Sequence, residues 1–284
     1  MTKNDGRTDA PTAAAPPRDM KIFQLPTGTY ETPAALAFQG GRFRDRRHFA
    51  ATAVLVQHPR GDVLIDAGFG AHAQEHIRML PRFRRSPHTL GATASEQMDT
   101  AGYDRGRLLG VLLTHSHWDH VSGLDSLDVP ILVPREELAY AERSRGDRVF
   151  QRVAAEHERR VYGFDGPAHR GFDASHDLHG DGSVVIVPAP GHTTGSVVVF
   201  VTLGPDRRFA FIGDLAWQLD GITCGAQRPL LMRMLADSDP AQIRRDLDRV
   251  SALAQHMRIV PAHDTRGYGD IPLLVPGPGA DEAP

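Results

Sequence analysis

With 284 residues, 40% of them hydrophobic and 24% charged, the chain has the makeup of an ordinary globular protein and the length for one large domain or two small ones. Its formal net charge of −3 gives no basic field to steer it onto nucleic acid, and its single cysteine, Cys224, excludes an intrachain disulfide framework and a multi-cysteine zinc site. Residues 1–20 are polar and rich in Ala, Pro and Asp, without the apolar core of a signal peptide, and no later run reaches the length of a membrane span. The expectation is a soluble cytoplasmic protein with a disordered tail over 1–20, one folded unit over 21–275 and a Pro- and Gly-rich tail over 276–284.

A first strand is expected from Lys21 to Leu25. The turn over 40–47 carries Arg42, Arg44, Arg46 and Arg47, which read as a solvated loop, with an anion-attracting rim as the functional alternative. Residues 51–56 and 62–66 read as a hairpin of strands around the turn His58-Pro59-Arg60-Gly61. Asp66 then ends a buried strand ahead of Ala67-Gly68-Phe69-Gly70 and needs donors or a cation nearby. It either caps the turn or holds a neighbouring metal loop through hydrogen bonds. A helix over 71–80 would carry His72 and His76 four apart, a metal-competent spacing, but without a matching carboxylate they read as exposed helix histidines. A basic loop over 81–87 and a short helix over 94–101 follow.

The apolar run Leu108-Leu109-Gly110-Val111-Leu112-Leu113 leads directly into Thr114-His115-Ser116-His117-Trp118-Asp119-His120, three histidines and an aspartate within six residues. Such a cluster at the end of a buried strand is costly to desolvate unless a cation sits among the side chains. In an extended turn His115 and His117 project to one side. Asp119 and His120 follow where the chain bends into a helix through Ser122-Gly123-Leu124, so one loop can serve two metal ions. A strand over 129–133 and charged helices over 136–143 and 148–160 come next, forming a helical insertion within 135–180 that could wall a cleft. His157, His169, His176 and His179 read as surface or loop residues.

One pattern then recurs three times: an apolar strand ends and a metal-competent residue follows. The strand at 183–187 precedes Pro188-Ala189-Pro190-Gly191-His192, the strand at 209–212 precedes Gly213-Asp214, and the strand at 257–260 precedes Pro261-Ala262-His263. With the 115–120 loop, four strand ends deliver seven candidate ligands. Between the last two, Asp239 as N-cap, Pro240 at the first helical position and the apolar stripe Ile243, Leu247, Val250 and Leu253 predict a helix. Strands in two groups, each followed by helices, predict an α/β architecture of two sheets packed face to face with helices outside.

The set His115-x-His117-x-Asp119-His120, His192 in Pro-Gly-His-Thr, Asp214 in Gly-Asp and His263 in Pro-Ala-His resembles the metallo-β-lactamase superfamily over roughly residues 50–265, and the Asp66 turn resembles that family's early aspartate motif. The resemblance implies an αββα sandwich of two mixed sheets with a dinuclear site at one edge. His115, His117 and His192 would form one metal site, Asp119, His120 and His263 the other, and Asp214 would bridge both. Among the branches, the pattern is closest to N-acyl homoserine lactone lactonases, to which the helix segment Glu136-Glu137-Leu138-Ala139-Tyr140 is also similar.

The resemblance further implies two divalent transition-metal ions, with Zn²⁺ first and Mn²⁺, Fe²⁺ or Co²⁺ also suited to imidazole and carboxylate ligands. A metal-bridged hydroxide would attack a lactone or ester carbonyl, with Asp119 as proton shuttle and Asp66 orienting the loop. One departure stands out: Trp217 occupies the position, three residues after the bridging aspartate, where lactonases commonly carry a tyrosine. Tyr140, Tyr268 or Asp119 are then the candidates to take over, and Trp217, Phe69 and Tyr140 the candidate substrate contacts, though each aromatic reads first as ordinary core packing. Alternatives on the same ligands are a phosphodiester or phosphotriester hydrolase, a glyoxalase II-like thioesterase, a mono-iron sulfur dioxygenase and a non-enzymatic metal-binding scaffold. The expected partner is a small-molecule substrate, not nucleic acid or membrane, and the 135–165 segment leaves room for a homodimer.

Overall fold

The computed structural model describes residues 17–143 and 148–275. The expected terminal tails lie largely outside these residues, but Met20 is already buried in the core, so the chain joins the fold just before the first strand. Strands β1 (Lys21–Pro33), β2 (Arg46–Gln57), β3 (Asp62–Ile65), β4 (His88–Leu90), β5 (Leu108–Leu112), β6 (Ile131–Pro134) and β7 (Arg159–Tyr162) form a sheet ordered β4-β1-β2-β3-β5-β6-β7. Strands β8 (His176–Asp177), β9 (Val184–Pro188), β10 (Val197–Gly204), β11 (Arg207–Phe211) and β12 (Arg258–Val260) form a second, ordered β12-β11-β10-β9-β8. Both sheets are mixed: β3, β5, β6 and β7 run parallel, as do β11 and β12, while the other pairs are antiparallel.

Alternation along the strands assigns the layers. From β2, Val54 and Val56 point between the sheets with Ile22, Ile65, Val184, Ile186, Val199 and Phe211. Ala53 and Leu55 point the other way, into a core shared with Met98, Val121 and Phe150. On the far side Val185, Val187, Val198 and Phe200 pack against Ile243, Leu247 and Val250. Strands covered on both faces read as unbroken apolar runs, as β2, β5 and β9 do. The result is an αββα sandwich of two mixed sheets, as expected.

In chain order the helices are α1 (Ala34–Ala37), α2 (Ala73–Met79), α3 (Ala94–Thr100), α4 (Trp118–Val121), α5 (Arg135–Arg143), α6 (Arg148–Val153), α7 (Asp220–Thr223), α8 (Leu230–Ala236) and α9 (Pro240–Leu253). α9 starts as its sequence predicts, with Asp239 accepting from the Ala241 and Gln242 amides. Burying each of its three apolar anchors is worth about 1.5–3 kcal/mol.

Several expectations need correction. The helix expected over 148–160 ends at Val153, because β6 offers a free edge that Arg159–Tyr162 fills as a parallel strand. The 135–180 segment is therefore helical only in its first half. The basic run is split: Arg46 and Arg47 begin β2, and Arg47 pairs with Asp220 at 3.3 Å, while Arg42 and Arg44 are exposed. His76 is not exposed; it is 1% accessible, and its Nδ1 lies 2.8 Å from Ser122 Oγ, which pins α2 to the turn after α4. His72 is exposed as expected and bonds to Asp125. β10, the middle strand of the second sheet, had gone unread. Among the described residues no helix is long and apolar enough to cross a membrane.

At the sandwich edge opposite the ends of β3 and β5, His179 stacks on the buried His58 with ring centroids 3.8 Å apart, and His58 Nε2 sits 3.0 Å from Asp181. Burial, and then the neighbouring His58, push the His179 imidazole down to about 4. Unfolded, it would take up a proton near about pH 6.5. Its contribution to stability is thus fully present above about pH 6.5 and is lost as pH falls towards about 4. His179→Phe keeps a stacking ring and removes the proton site, so its urea midpoint should fall less steeply than that of the native chain between about pH 7 and about pH 4.5. Parallel slopes would show that the stack carries no such pH dependence.

Candidate metal centre

Strand ends converge because β3 and β5 run parallel in one sheet, β11 and β12 run parallel in the other, and the two sets finish at the same edge. Cross-sheet bonds lock the ends together: the Val197 amide donates to Thr114 O at 3.0 Å, and the Ala50 amide to His263 O at 3.3 Å. Gly213, at φ 49°, makes the turn that delivers Asp214; a Cβ there would stand 2.9 Å from Thr114 Oγ1.

The side chains meet in two groups. His115, His117, His192 and Asp214 form one, and Asp119, His120 and His263 the other; within each, the ligand atoms lie within 4.8 Å of one another. Asp214 faces both. Its Oδ2 lies 3.2 Å from His192 Nε2 and 3.8 Å from His115 Nε2, while its Oδ1 lies 3.0 Å from His263 Nε2 and 3.4 Å from His120 Nε2. His117 Nδ1 is 2.9 Å from His192 Nε2, and Asp119 Oδ2 is 3.5 Å from His263 Nε2. Except for the half-buried His117, these side chains are buried.

The outward-facing nitrogens are anchored. His120 Nδ1 is 2.7 Å from Asp66 Oδ2, His263 Nδ1 is 2.7 Å from Ala50 O, His192 Nδ1 is 3.0 Å from Asp237 Oδ1, and His115 Nδ1 is 3.2 Å from Thr114 Oγ1. Anchoring one ring nitrogen turns the other inward, which is how protein ligands to metals are oriented. Asp66 adopts a left-handed φ of 55° and also accepts from the Thr114 amide and hydroxyl, each at 2.8 Å. It therefore braces the whole loop rather than capping its own turn.

Protonation follows burial and charge. Burial, and then neighbouring imidazoles, hold His115 and His117 well below the usual histidine range, so their lone pairs are available. Burial also opposes charge on His120 and His263, but the carboxylates around them outweigh it and raise both. Burial opposes the Asp214 charge too; surrounding histidines win and hold its carboxyl well below the carboxylate range. His120 Nε2, His263 Nε2 and Asp214 Oδ1 are buried without a hydrogen-bond partner and point at one another. Orphaned donors converging with imidazoles and carboxylates, and no thiolate, fit divalent transition metals.

A family model for the metallo-beta-lactamase superfamily matches residues 46–263. The chain belongs to that superfamily. As a member it is a metal-dependent hydrolase. Probable metallo-hydrolases of Mycobacterium tuberculosis and Mycobacterium bovis are each 29% identical to it, over 76% of this chain and 74% of theirs. An N-acyl homoserine lactone hydrolase solved with N-hexanoyl-L-homoserine at its catalytic metal centre matches with a TM-score of 0.70 at 16% identity, covering 92% of this chain and 98% of that one. A dizinc quorum-quenching lactonase matches with a TM-score of 0.61 at 13% identity, covering 89% of both.

The candidate aromatics of this superfamily member divide. Tyr140 lies beside His117, ring centroids 6.4 Å apart. Phe69 is 1% accessible and stacks under Trp118, so it backs the site without lining it. Tyr268 is buried and donates to Ala262 O. Trp217 turns its N–H to Asp214 Oδ2 at 2.7 Å. Four residues were not foreseen. Tyr30, at the far end of β1, donates to Asp119 Oδ2 at 3.0 Å. Its sequence signal was missed because β1 was expected to stop at Leu25. Asp237 and Arg228 sit in a stretch without periodicity. Glu137 lies in the quoted helix segment, but nothing in the sequence distinguishes it from Glu136.

Glu137 is fully buried, and burial raises its carboxyl above the usual range. It accepts from the Ser116 amide at 2.7 Å and the Thr193 hydroxyl at 2.5 Å, clamping the His115–His117 loop to the His192 loop. Glu137→Ala strands both donors, so urea unfolding should show a loss of about 1–3 kcal/mol or more, with Glu137→Gln losing less because its amide oxygen still accepts. Equal stability of native and Ala variants would refute the clamp.

Proposed function

We propose that this metallo-hydrolase opens a lactone or ester carbonyl of a small-molecule substrate, with two divalent cations, zinc first, held by His115, His117, His192, Asp119, His120 and His263 and shared through Asp214. The observation that carries this reading is the way Asp214 presents one oxygen to each group of ligands, beside an Asp119 carboxylate that accepts from a phenol. Cations held there supply Lewis acidity and lower the pKa of a water towards neutrality.

The chain's own groups do the rest. Asp119 lies between the Tyr30 hydroxyl and His263, where a carboxylate can take a proton from the attacking water and return it to the leaving alkoxide. As water adds to the carbonyl carbon, the C=O electrons move to oxygen; when that oxygen reforms the double bond, the ring C–O bond breaks and the leaving oxygen collects the proton. Tyr30 holds Asp119 by its hydroxyl, and burial and then the Asp119 charge push that phenol well above its usual range, so it remains a donor. Beside it stands the half-buried Trp118, its ring centroid 6.3 Å from that of Tyr30, with the buried Phe49 and Phe69 behind at 5.1 Å and 6.5 Å. A neutral donor beside aromatic faces suits an uncharged carbonyl substrate better than a phosphodiester. The lactonase folds among the neighbours support the same choice.

Metal analysis of purified protein should find about two transition-metal ions per chain, and His117→Ala or Asp214→Ala should remove hydrolysis while circular dichroism stays native. A panel of lactones of varied ring size, aryl esters, thioesters and phosphotriesters on zinc-loaded protein should give its largest kcat/KM on a lactone or ester. Hydrolysis persisting in either variant, or preference for a phosphotriester, refutes the reading. Tyr30→Phe should lower kcat by about 10–100-fold with bound metal unchanged, since the ring stays and only the donor goes; an unchanged kcat would remove Tyr30 from the chemistry.

A further inference from the structure

Asp237 and Arg228 stand just outside the two ends of α8, and neither faces the place where a cation would sit. Asp237 Oδ1 lies 3.0 Å from His192 Nδ1 and 3.0 Å from Arg228 Nη1. The Arg228 Nη2 group donates to the Asp214 carbonyl oxygen, and the guanidinium lies 4.5 Å over the Trp217 ring. Trp217 Nε1 donates to Asp214 Oδ2, which is 3.2 Å from His192 Nε2. These contacts close a ring: His192, Asp237, Arg228, the Asp214 backbone, Trp217, the Asp214 carboxylate, and His192 again. The Asp237 side chain is 0% accessible and that of Arg228 4%.

We propose that Asp237, kept in place by Arg228, is the positioning residue that fixes His192 for metal binding, and that through this ring the seating of α8 is coupled to metal occupancy. A carboxylate that accepts the Nδ1 proton selects one imidazole tautomer, aims the Nε2 lone pair inward and makes it more basic. An arginine stays charged when buried and supplies the countercharge Asp237 needs. Its grip on the Asp214 carbonyl sets the backbone of the shared carboxylate at the same time, so one ion pair orients one ligand from each side of the site.

The coupling to α8 follows from what else holds that helix. α8 has no buried residue, and Leu230, Leu231 and Met234 are 64%, 62% and 74% accessible. It therefore gains little from packing and is held by polar contacts: Arg228 before it and Asp237 after it, with Arg233 bonded to Gln227 Oε1 and the exposed Arg84 donating to Leu235 O. Ser238 adds to the second anchor by donating to His192 O from its amide and hydroxyl, both at 3.2 Å. Linkage is reciprocal: if α8 must be seated for His192 to be aligned, metal binding must in turn stabilise the seated helix.

The inference rests on the ligand assignment proposed above, and the experiment separates the two. Metal-free native protein, Asp237→Asn and Asp237→Glu are titrated with zinc against a chromophoric chelator, and amide hydrogen exchange of residues 230–237 is followed with and without zinc. The expected result is a loss of about 10–100-fold in affinity for at least one zinc in Asp237→Asn, with partial recovery in Asp237→Glu. Zinc should slow exchange across α8 in the native chain and do so less in Asp237→Asn. Native affinity in Asp237→Asn, or exchange in α8 that zinc leaves unchanged, overturns the inference while the ligand assignment stands. Absence of tight zinc binding by the native chain sinks the ligand assignment itself. Should Asp237→Asn fail to fold, Arg228→Lys keeps the charge and loses the two-handed grip; unchanged zinc affinity there also overturns the inference.

Discussion

The Asp214 carboxylate is the constraint on which the structure turns. It is buried between two groups of imidazoles, and a charge in that position is tolerated only if each lone pair finds compensation. His192 and His115 answer one oxygen, His263 and His120 the other. Cations in the two groups would satisfy the same demand more completely, because Oδ1 and the facing nitrogens of His120 and His263 have no hydrogen-bond partner of their own. A buried cluster with this donor set is costly for the fold and useful for a Lewis-acid site, and the two facts have one cause.

Everything around Asp214 can be read as bracing against that cost. Gly213 turns the chain where a side chain would strike Thr114. Thr114 hands its amide and hydroxyl to Asp66, and Asp66 holds His120. Glu137 ties the first ligand loop to the His192 loop, and Asp237 ties His192 to Arg228. Three buried carboxylates, two bound to the 114–120 loop and two to the His192 loop with Glu137 common to both, make the geometry stiff before any cation arrives, and preorganisation of this kind is what an electrostatic active site requires.

The two clusters of candidate ligands were legible in the sequence because each member follows an apolar strand, and strand periodicity is a local property of a few residues. The sandwich followed from the same runs. What was lost was either non-local or indistinct. Arg159–Tyr162 carries two arginines and resembles a solvated helix end; only the open edge of β6 makes it a strand. His76 sits on a short polar helix, and its burial depends on Ser122, far along the chain. Tyr30 reaches Asp119 only because β1 runs on to Pro33 beside β2, a length set by pairing rather than by its own composition. Arg228 and Asp237 flank a helix whose apolar residues face solvent, the reverse of the pattern that sequence reading looks for. β10 is different: its run of valines is an apolar strand signal as plain as that of β9, and no candidate ligand follows it.

The exchange of roles between Trp217 and Tyr30 bears on specificity. An indole has one donor and no acceptor, and Trp217 commits that donor to Asp214 Oδ2, so position 217 serves the cation side of the site. The phenol arrives instead from the other sheet, through Tyr30, and meets Asp119 rather than Asp214. The two aromatic donors that reach the site's carboxylates thus come from different sheets, Tyr30 to Asp119 and Trp217 to Asp214. Tyr30 and Trp118 are half-buried there, and Phe49 is buried behind them. Under the proposed function, discrimination among substrates should therefore draw on Tyr30 and Trp118 as well as on Trp217 and the 135–180 segment to which the sequence points.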